Sequence, residues 1–274
     1  MTKVGLIAGN GIFPIEFAKA ARAKGMTVVA VAHEGETDRD LEQWADAVFW
    51  VKVGQLGKII KIFKEQGVRD VLMAGGIKKT RLFGGAMPDL RGAALLARMI
   101  AKKDDSILRA VAEELESDGI TVRESTLYLD NLLAPAGVLT KRRPSKEEWK
   151  DISFGWQMAK EIGRLDIGQT VVVKDLAILA VEAIEGTDEA IRRGGSLCRE
   201  GAVVVKICKP QQDLRFDLPA TGVQTIRTMQ AVKASCLAIE AGKTLMIQKD
   251  DIIAEANAAG IAIAALDAEG KVTD

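Results

Sequence analysis

The chain opens on a pattern that few folds accommodate: an apolar run from Lys3 to Ala8, the turn Gly9-Asn10-Gly11, a helix-compatible stretch that Pro14 can start, and a second apolar run over 27–32. Proline is tolerated in the first turn of a helix, and glycine lets main chain turn tightly and approach a ligand closely. This is the order of a β–Gly-loop–α–β unit, in which a phosphate can sit at the helix N-terminus. Gly9-x-Gly11-x-x-Pro14 lacks the third glycine of the dinucleotide fingerprint, although Glu34 stands where a ribose-binding acid could be. Strands are expected at 47–51 and 68–74 with a helix over 56–66 between them, and Gly75-Gly76 closes the later strand. Glycine at successive strand ends is what a doubly wound parallel sheet requires along the edge that ligands approach. Helical patterns over 89–101 and 104–117 and a short strand near 121–123 complete a first, Rossmann-like lobe. The pairs Lys78-Lys79 and Lys102-Lys103 read as solvated surface.

Residues 130–144 carry Pro135, Gly137, Pro144 and the basic triplet Lys141-Arg142-Arg143, the composition of a linker. Ser145-Lys146-Glu147-Glu148 then has the spacing of a capping box and opens a helix that ends near Gly163. Strands are expected at 170–174 and 177–183, the second leading into Glu182, Glu185 and Asp188, with Thr187 placed to cap a helix over 189–193. A buried strand over 202–207, a helix over 222–241, a strand over 244–247, a helix over 249–259 and a strand over 262–266 complete a second α/β lobe.

Within that lobe the stretch 206–222 has the composition of a site. It gathers Lys206, Lys209, Gln211, Gln212, Asp213, Arg215 and Asp217 among few apolar residues, and Pro210 and Pro219 exclude a regular helix. Thr221 and Gln224 have capping-box spacing, so the loop should run from a strand end into a helix start, where unpaired N–H groups favour an anion. The alternative is a solvated loop whose Arg215–Asp217 pair contributes about 0–1 kcal/mol. If Glu182, Glu185 and Asp188 are buried, each needs a partner. Lys206, Lys209, Arg215 or Mg²⁺ would supply one, which would bring the two polar loops together.

Composition removes several classes. Lys+Arg and Asp+Glu both number 38 in 274 residues, so no bulk charge recruits nucleic acid. Cys198, Cys208 and Cys236 form no CxxC pair, and the single histidine, His33, gives little support to a histidine-based hydrolase. Neither a signal peptide nor a membrane span is expected, and reduced cytosol fits best. Hard oxygen ligands without His or Cys suit Mg²⁺ and phosphoryl chemistry.

Four segments together carry a resemblance: Gly5-Leu-Ile-Ala-Gly-Asn-Gly-Ile-Phe-Pro14, Leu165-Asp-Ile-Gly-Gln169, Ala180-Val-Glu-Ala-Ile-Glu-Gly-Thr-Asp188 and Lys209-Pro-Gln-Gln-Asp-Leu-Arg-Phe-Asp-Leu-Pro219. In the same order across nearly the whole chain, they resemble the LpxI-type UDP-2,3-diacylglucosamine pyrophosphatases of lipid A biosynthesis. Phe13 stands where leucine is usual. The resemblance implies a Mg²⁺-dependent hydrolase that releases UMP and 2,3-diacylglucosamine 1-phosphate (lipid X), with water attacking the β-phosphorus. Its Arg-x-Asp-Leu-Pro aspartate falls on Asp217, for metal ligation or water activation.

Combining both lines, Asp217, Asp213, Lys209, Arg215 and Gln212 are the catalytic candidates. Gly9, Asn10, Gly11, Gly75, Gly76, Gln169, Thr187, Lys206 and Thr221 are candidates for binding substrate, and Glu182, Glu185 and Asp188 would join Asp217 around Mg²⁺. The expected organisation is a UDP-binding domain over 1–133, a linker over 134–144, and a catalytic domain over 145–274 that also holds the lipid sugar phosphate. The partner is a UDP-linked diacylated glucosamine and not nucleic acid. Location is cytoplasmic, with room for peripheral contact with the inner membrane and for a homo-oligomer. Two other classes stay open: an NAD-dependent oxidoreductase using the Gly9 loop and Glu34, and a non-catalytic carrier of the lipid-linked nucleotide sugar.

Overall fold

Consecutive rather than alternating apolar residues make β1 (Lys3–Ala8) and β2 (Thr27–His33) strands buried on both faces, the mark of a parallel sheet covered by helices. In the computed structural model, which describes residues 2–77, 88–102, 107–216 and 218–272, both lie at the centre of such a sheet. With β3 (Ala47–Val51), β4 (Asp70–Ala74) and β5 (Thr121–Val122) they form an all-parallel sheet in the order β3-β2-β1-β4-β5. The chain winds outward from β1 on one side and returns to β4 on the other, so the ends of β1 and β4 are a topological switch point.

Helices α1 (Phe13–Ala23), α2 (Leu56–Glu65), α3 (Leu90–Lys102) and α4 (Ile107–Ser117) belong to the same unit. Its core joins Ile59 and Phe63 of α2 and Leu115 of α4 to Val29, Val31 and Val71 of the sheet. Burying a side chain such as Phe63 contributes about 1.5–3 kcal/mol. This first unit comprises Met1–Leu129 together with Leu214–Phe216, so three residues of the Pro-bracketed loop belong to it. Ser125 holds them: its N–H donates to the Leu214 carbonyl at 3.0 Å, and its hydroxyl lies 2.7 Å from the Arg215 carbonyl and 3.0 Å from that of Met73.

The second unit, Asp130–Asp213 and Asp217–Asp274, is built on a mixed sheet. Its strands are β6 (Gly137–Val138), β7 (Thr170–Lys174), β8 (Ala177–Val181), β9 (Val203–Lys206), β11 (Cys236–Glu240) and β13 (Ala262–Leu266), in the order β6-β13-β11-β9-β7-β8. The central β9, β11 and β13 are parallel, whereas β7, β8 and β6 are added antiparallel. A parallel pair of β10 (Ala220–Thr221) and β12 (Leu245–Met246) stands apart. On one face α5 (Lys146–Arg164) packs Ile152 and Trp156 against Val171, Val173, Val203 and Val205. Its start is the expected capping box, with Ser145 accepting from the Glu148 N–H and Glu148 from that of Ser145. On the other face Ile191 of α6 (Thr187–Gly195), Met229 of α7 (Val223–Ala231) and Ile252 of α8 (Lys249–Ala258) meet Val172, Val204, Leu237 and Ile239.

Three expectations are corrected here. The helix expected over 222–241 ends at Ala231, and Lys233 turns the chain with φ 54° into β11. Alanine, lysine and glutamate gave that stretch helical propensity, but Cys236–Glu240 pairs with β9 and β13 on both sides, and tertiary pairing overrides propensity. Thr221 is not an N-cap: it lies in β10, and Gly222 stands at the cap position of α7 without a side-chain bond. The strand expected over 177–183 ends at Val181, and Glu182 begins the turn to α6.

Candidate active site

Side chains alternate across a strand, so the packing of neighbours tells which face each polar residue takes. Along β7, Val171 and Val173 face α5, and Val172 faces α6; Thr170 therefore shares the α6 face. The same parity puts Lys206 of β9 with Val204, and Glu182 with Ala180 of β8, on that face. Thr170 is the register partner of Lys206, and the Glu182 N–H donates to the Thr170 carbonyl at 2.8 Å. Glu182, Thr170 and Lys206 thus form a row across β8, β7 and β9 at the edge where β9 ends.

The start of α6 completes this row. Lys206 Nζ donates to Thr187 Oγ1 at 3.0 Å and to the Ala220 carbonyl at 2.7 Å, and Thr187 donates to Glu182 Oε1 at 2.9 Å. Two loops read separately from sequence are brought together by this chain. Thr187 is not the cap expected of it, because the helix begins at Thr187 itself, behind Gly186 at φ 87°. The row is closed to solvent, with exposures of 0% for Thr170, 5% for Lys206 and 7% for Glu182. Even so, Thr170 Oγ1, Glu182 Oε2, Thr221 Oγ1 and Gln169 Oε1 are enclosed without a hydrogen-bond partner. Enclosing such atoms unpaired costs roughly 1–3 kcal/mol each. Thr170 escaped sequence reading because it looks like the ordinary first residue of a β-branched strand.

The other carboxylates of this turn face elsewhere. Glu185 accepts from Arg193 at 2.6 Å and from the Ala183 N–H at 3.1 Å. Its own backbone N–H and then Arg193 hold its carboxyl below the usual range. Asp188 accepts from Thr225 Oγ1 at 3.2 Å. Among the described residues no three His, Cys, Asp or Glu side chains are grouped to hold a metal ion. Asp217 lies outside the described residues.

Along the loop, Lys209 pairs with Asp166 at 2.7 Å, and Gln212 Oε1 accepts the Lys209 N–H at 2.9 Å, closing a turn. Asp213 is partly exposed beside it. In the first unit Arg215 pairs with Glu116 at 3.1 Å and lies over the Phe216 ring, 4.8 Å from its centroid. Lys209 thus pairs with Asp166 rather than with Glu182. The loop's beginning is fixed by Glu240, which sequence reading placed inside a helix: its Oε2 accepts the Cys208 N–H at 3.0 Å and Lys160 Nζ at 2.7 Å.

At the first unit's switch point, the Gly9 N–H donates to the Ala74 carbonyl at 2.8 Å and the Asn10 N–H to that of Gly76 at 2.7 Å. A Cβ on Gly9 would lie 2.3 Å from the Gly76 oxygen, and one on Gly75, at φ 80°, 2.3 Å from the Asn10 oxygen. Those two glycines are explained by backbone packed on backbone. Gly11 differs: at φ 85° a Cβ would meet nothing within 4 Å, so the N-terminus of α1 is open there. Asn10 Nδ2 donates to Glu36 Oε2 at 2.9 Å, and the Ala8 carbonyl accepts from Thr37 Oγ1 at 2.6 Å and His33 Nδ1 at 2.8 Å.

Comparison with known proteins follows the two units. Residues 3–132 match the LpxI N-terminal domain and residues 135–264 the LpxI C-terminal domain. A relative from Caulobacter vibrioides, named UDP-2,3-diacylglucosamine pyrophosphatase LpxI, is 35% identical over 282 residues, covering 99% of this chain and 100% of its own. Among solved structures, the biotin carboxylase domain of Hydrogenobacter thermophilus 2-oxoglutarate carboxylase is 16% identical with a TM-score of 0.28, covering 65% of this chain. Pyruvate carboxylase from Rhizobium etli is 15% identical with a TM-score of 0.30, covering 53%. This chain spans 36% and 15% of those two, and likeness at that level carries no argument. With both domain models matched and a full-length relative at that identity, the chain belongs to the LpxI family.

Proposed function

We propose that the protein hydrolyses the pyrophosphate of UDP-2,3-diacylglucosamine to UMP and 2,3-diacylglucosamine 1-phosphate. The observation that carries this is full-length identity of 35% to a relative named for that substrate, with both family domains in order. Water attacks the β-phosphorus: its oxygen bonds to that phosphorus, the bond from phosphorus to the bridging oxygen breaks, and the bridging oxygen leaves on UMP. Asp217 is assigned to the attacking water or to Mg²⁺, since Glu185 and Asp188 are taken by Arg193 and Thr225. A bound Mg²⁺ would offset charge on the phosphate oxygens.

The lipid sugar is assigned to the second unit. The buried Lys206–Thr187–Glu182 chain supports that, as do the apolar side chains on the adjoining turns, Ile167 at 49% and Ile184 at 96% exposure. Acyl chains, and with them a lipid surface, would contact these. The uridine diphosphate is assigned to the first unit, at the open Gly11 end of α1. Among the described residues no helix is long and apolar enough to cross a membrane, so contact with lipid would be peripheral to these segments. Turnover in ¹⁸O-water tests the chemistry: label should enter the sugar phosphate, whereas label in UMP would place the attack on the α-phosphorus.

A further inference from the structure

The Pro-bracketed loop does not stay within the second unit. It leaves β9 at Lys206, yet Leu214–Phe216 belong to the first unit. Asp217 follows Phe216 directly in the chain, so the residue assigned to the attacking water or Mg²⁺ is entered from that tripeptide.

Three contacts hold the tripeptide. Phe216 packs against the first unit's core. Arg215 pairs with Glu116 at 3.1 Å, but with side chains 27% and 41% exposed that pair contributes little. Ser125 is different in kind, because it is 3% exposed and grips the backbone itself. Its N–H donates to the Leu214 carbonyl at 3.0 Å, and its hydroxyl lies 2.7 Å from the Arg215 carbonyl. A serine hydroxyl has one proton to give, and Arg215 is a nearer acceptor than the Met73 carbonyl at 3.0 Å.

The sheet puts Ser125 where it can do this. β5 runs parallel to β4 with Val122 opposite Val71, and the Arg123 N–H donates to the Val71 carbonyl at 2.8 Å, so Ser125 comes level with Met73. Two residues beyond Met73 stands Gly75, whose backbone is packed on Asn10 in the loop that leads to Gly11. One short side chain thus lies between the strand carrying the Gly75 turn and the chain that enters Asp217.

We infer that Ser125 is a positioning residue for the hydrolysis, fixing the backbone at Arg215, two residues ahead of Asp217, on the unit assigned to the nucleotide. This rests on the proposed function, which gives Asp217 its part in the reaction. Reacting groups must be held near productive geometry, and a misplacement of about 1 Å costs about 10²-fold in rate. A serine that only filled a buried turn would change stability and leave turnover alone.

Ser125→Ala in the full chain removes the hydroxyl and keeps the backbone bond to Leu214. It should lower kcat by about tenfold or more, with KM and the affinity for UMP unchanged. Trypsin reads the loop directly: Lys209 precedes proline, so Arg215–Phe216 is the one bond between residues 207 and 222 that this protease attacks readily. In Ser125→Ala that bond should be cut several-fold faster than in the parent. Val122→Ala, a large-to-small change in the same unit's core, controls for lost stability and should keep both the parent's kcat and its cleavage rate. If Ser125→Ala fails to fold, Ser125→Cys, close in size with a weaker donor, should show both changes in smaller measure. A folded Ser125 variant with unchanged kcat or unchanged cleavage would overturn the inference, as would an equal fall in kcat in Val122→Ala. If the parent chain releases no UMP, the proposed function fails. Cleavage then still decides the anchor: a faster cut in the Ser125 variant supports it, and an equal one overturns it.

Discussion

Glu240 Oε2 accepts the Cys208 N–H at 3.0 Å, so a carboxylate with no solvent exposure fixes the point where β9 gives way to the Pro-bracketed loop. Lys160 at 2.7 Å and Lys243 at 2.9 Å balance its charge, and its hydrogen bond to Lys243 raises that ammonium's pKa against the opposing effect of burial. Glu240→Ala should leave the buried Cys208 N–H unpaired and release the loop, costing roughly 1–3 kcal/mol. Urea denaturation measures this; a loss below about 1 kcal/mol would mean the carboxylate does not anchor the strand end.

The glycines of the first unit should separate into two kinds. Gly9→Ala and Gly75→Ala each push a methyl into backbone oxygen at 2.3 Å, and should cost roughly 1–3 kcal/mol of stability or more. Gly11→Ala meets no atom and bears only the strain of its positive φ, about 1 kcal/mol. If α1 receives the nucleotide, Gly11→Ala should weaken UMP binding beyond what its stability change explains. Thermal unfolding with and without UMP distinguishes them.

His33 gives the first unit a predicted pH dependence. Burial lowers its pKa below 6.5, with the Ala8 carbonyl and Glu36 opposing more weakly. The native state therefore favours the neutral ring, and below the unfolded value the unfolded chain binds the extra proton. Stability should be complete above about pH 6.5 and fall as pH drops toward the folded pKa. His33→Gln should flatten that slope in urea titrations across this range, since the chain has no other histidine. An unchanged slope would assign it to carboxylates.

Much of this architecture was legible because its signals are local. The run Lys3–Ala8 ending in glycine, the Ser145–Glu148 box and the prolines of the loop each act within a few residues, and each forms as read. What was hidden depends on partners distant in sequence. Cys236–Glu240 looks helical until β9 and β13 flank it, and Glu240 gains its role only from Lys160 and Cys208. Thr170 gives no sign of a site until register sets it beside Lys206. Thr187 read as a cap because caps are local, whereas its hydroxyl turns back to Glu182 and across to Lys206. Gly9 and Gly75 are read from strand ends, and the backbone contact that requires glycine at both is a tertiary one.

The most direct measurement is release of UMP from UDP-2,3-diacylglucosamine by the purified chain, with Mg²⁺ and with chelator, beside Asp217→Ala. The proposed hydrolase predicts stoichiometric UMP and 2,3-diacylglucosamine 1-phosphate with Mg²⁺ and little with chelator. It also predicts a fall of about 10²-fold or more in the folded variant. Folded chain that binds the substrate and releases no UMP would contradict it and leave a carrier of the lipid-linked nucleotide sugar.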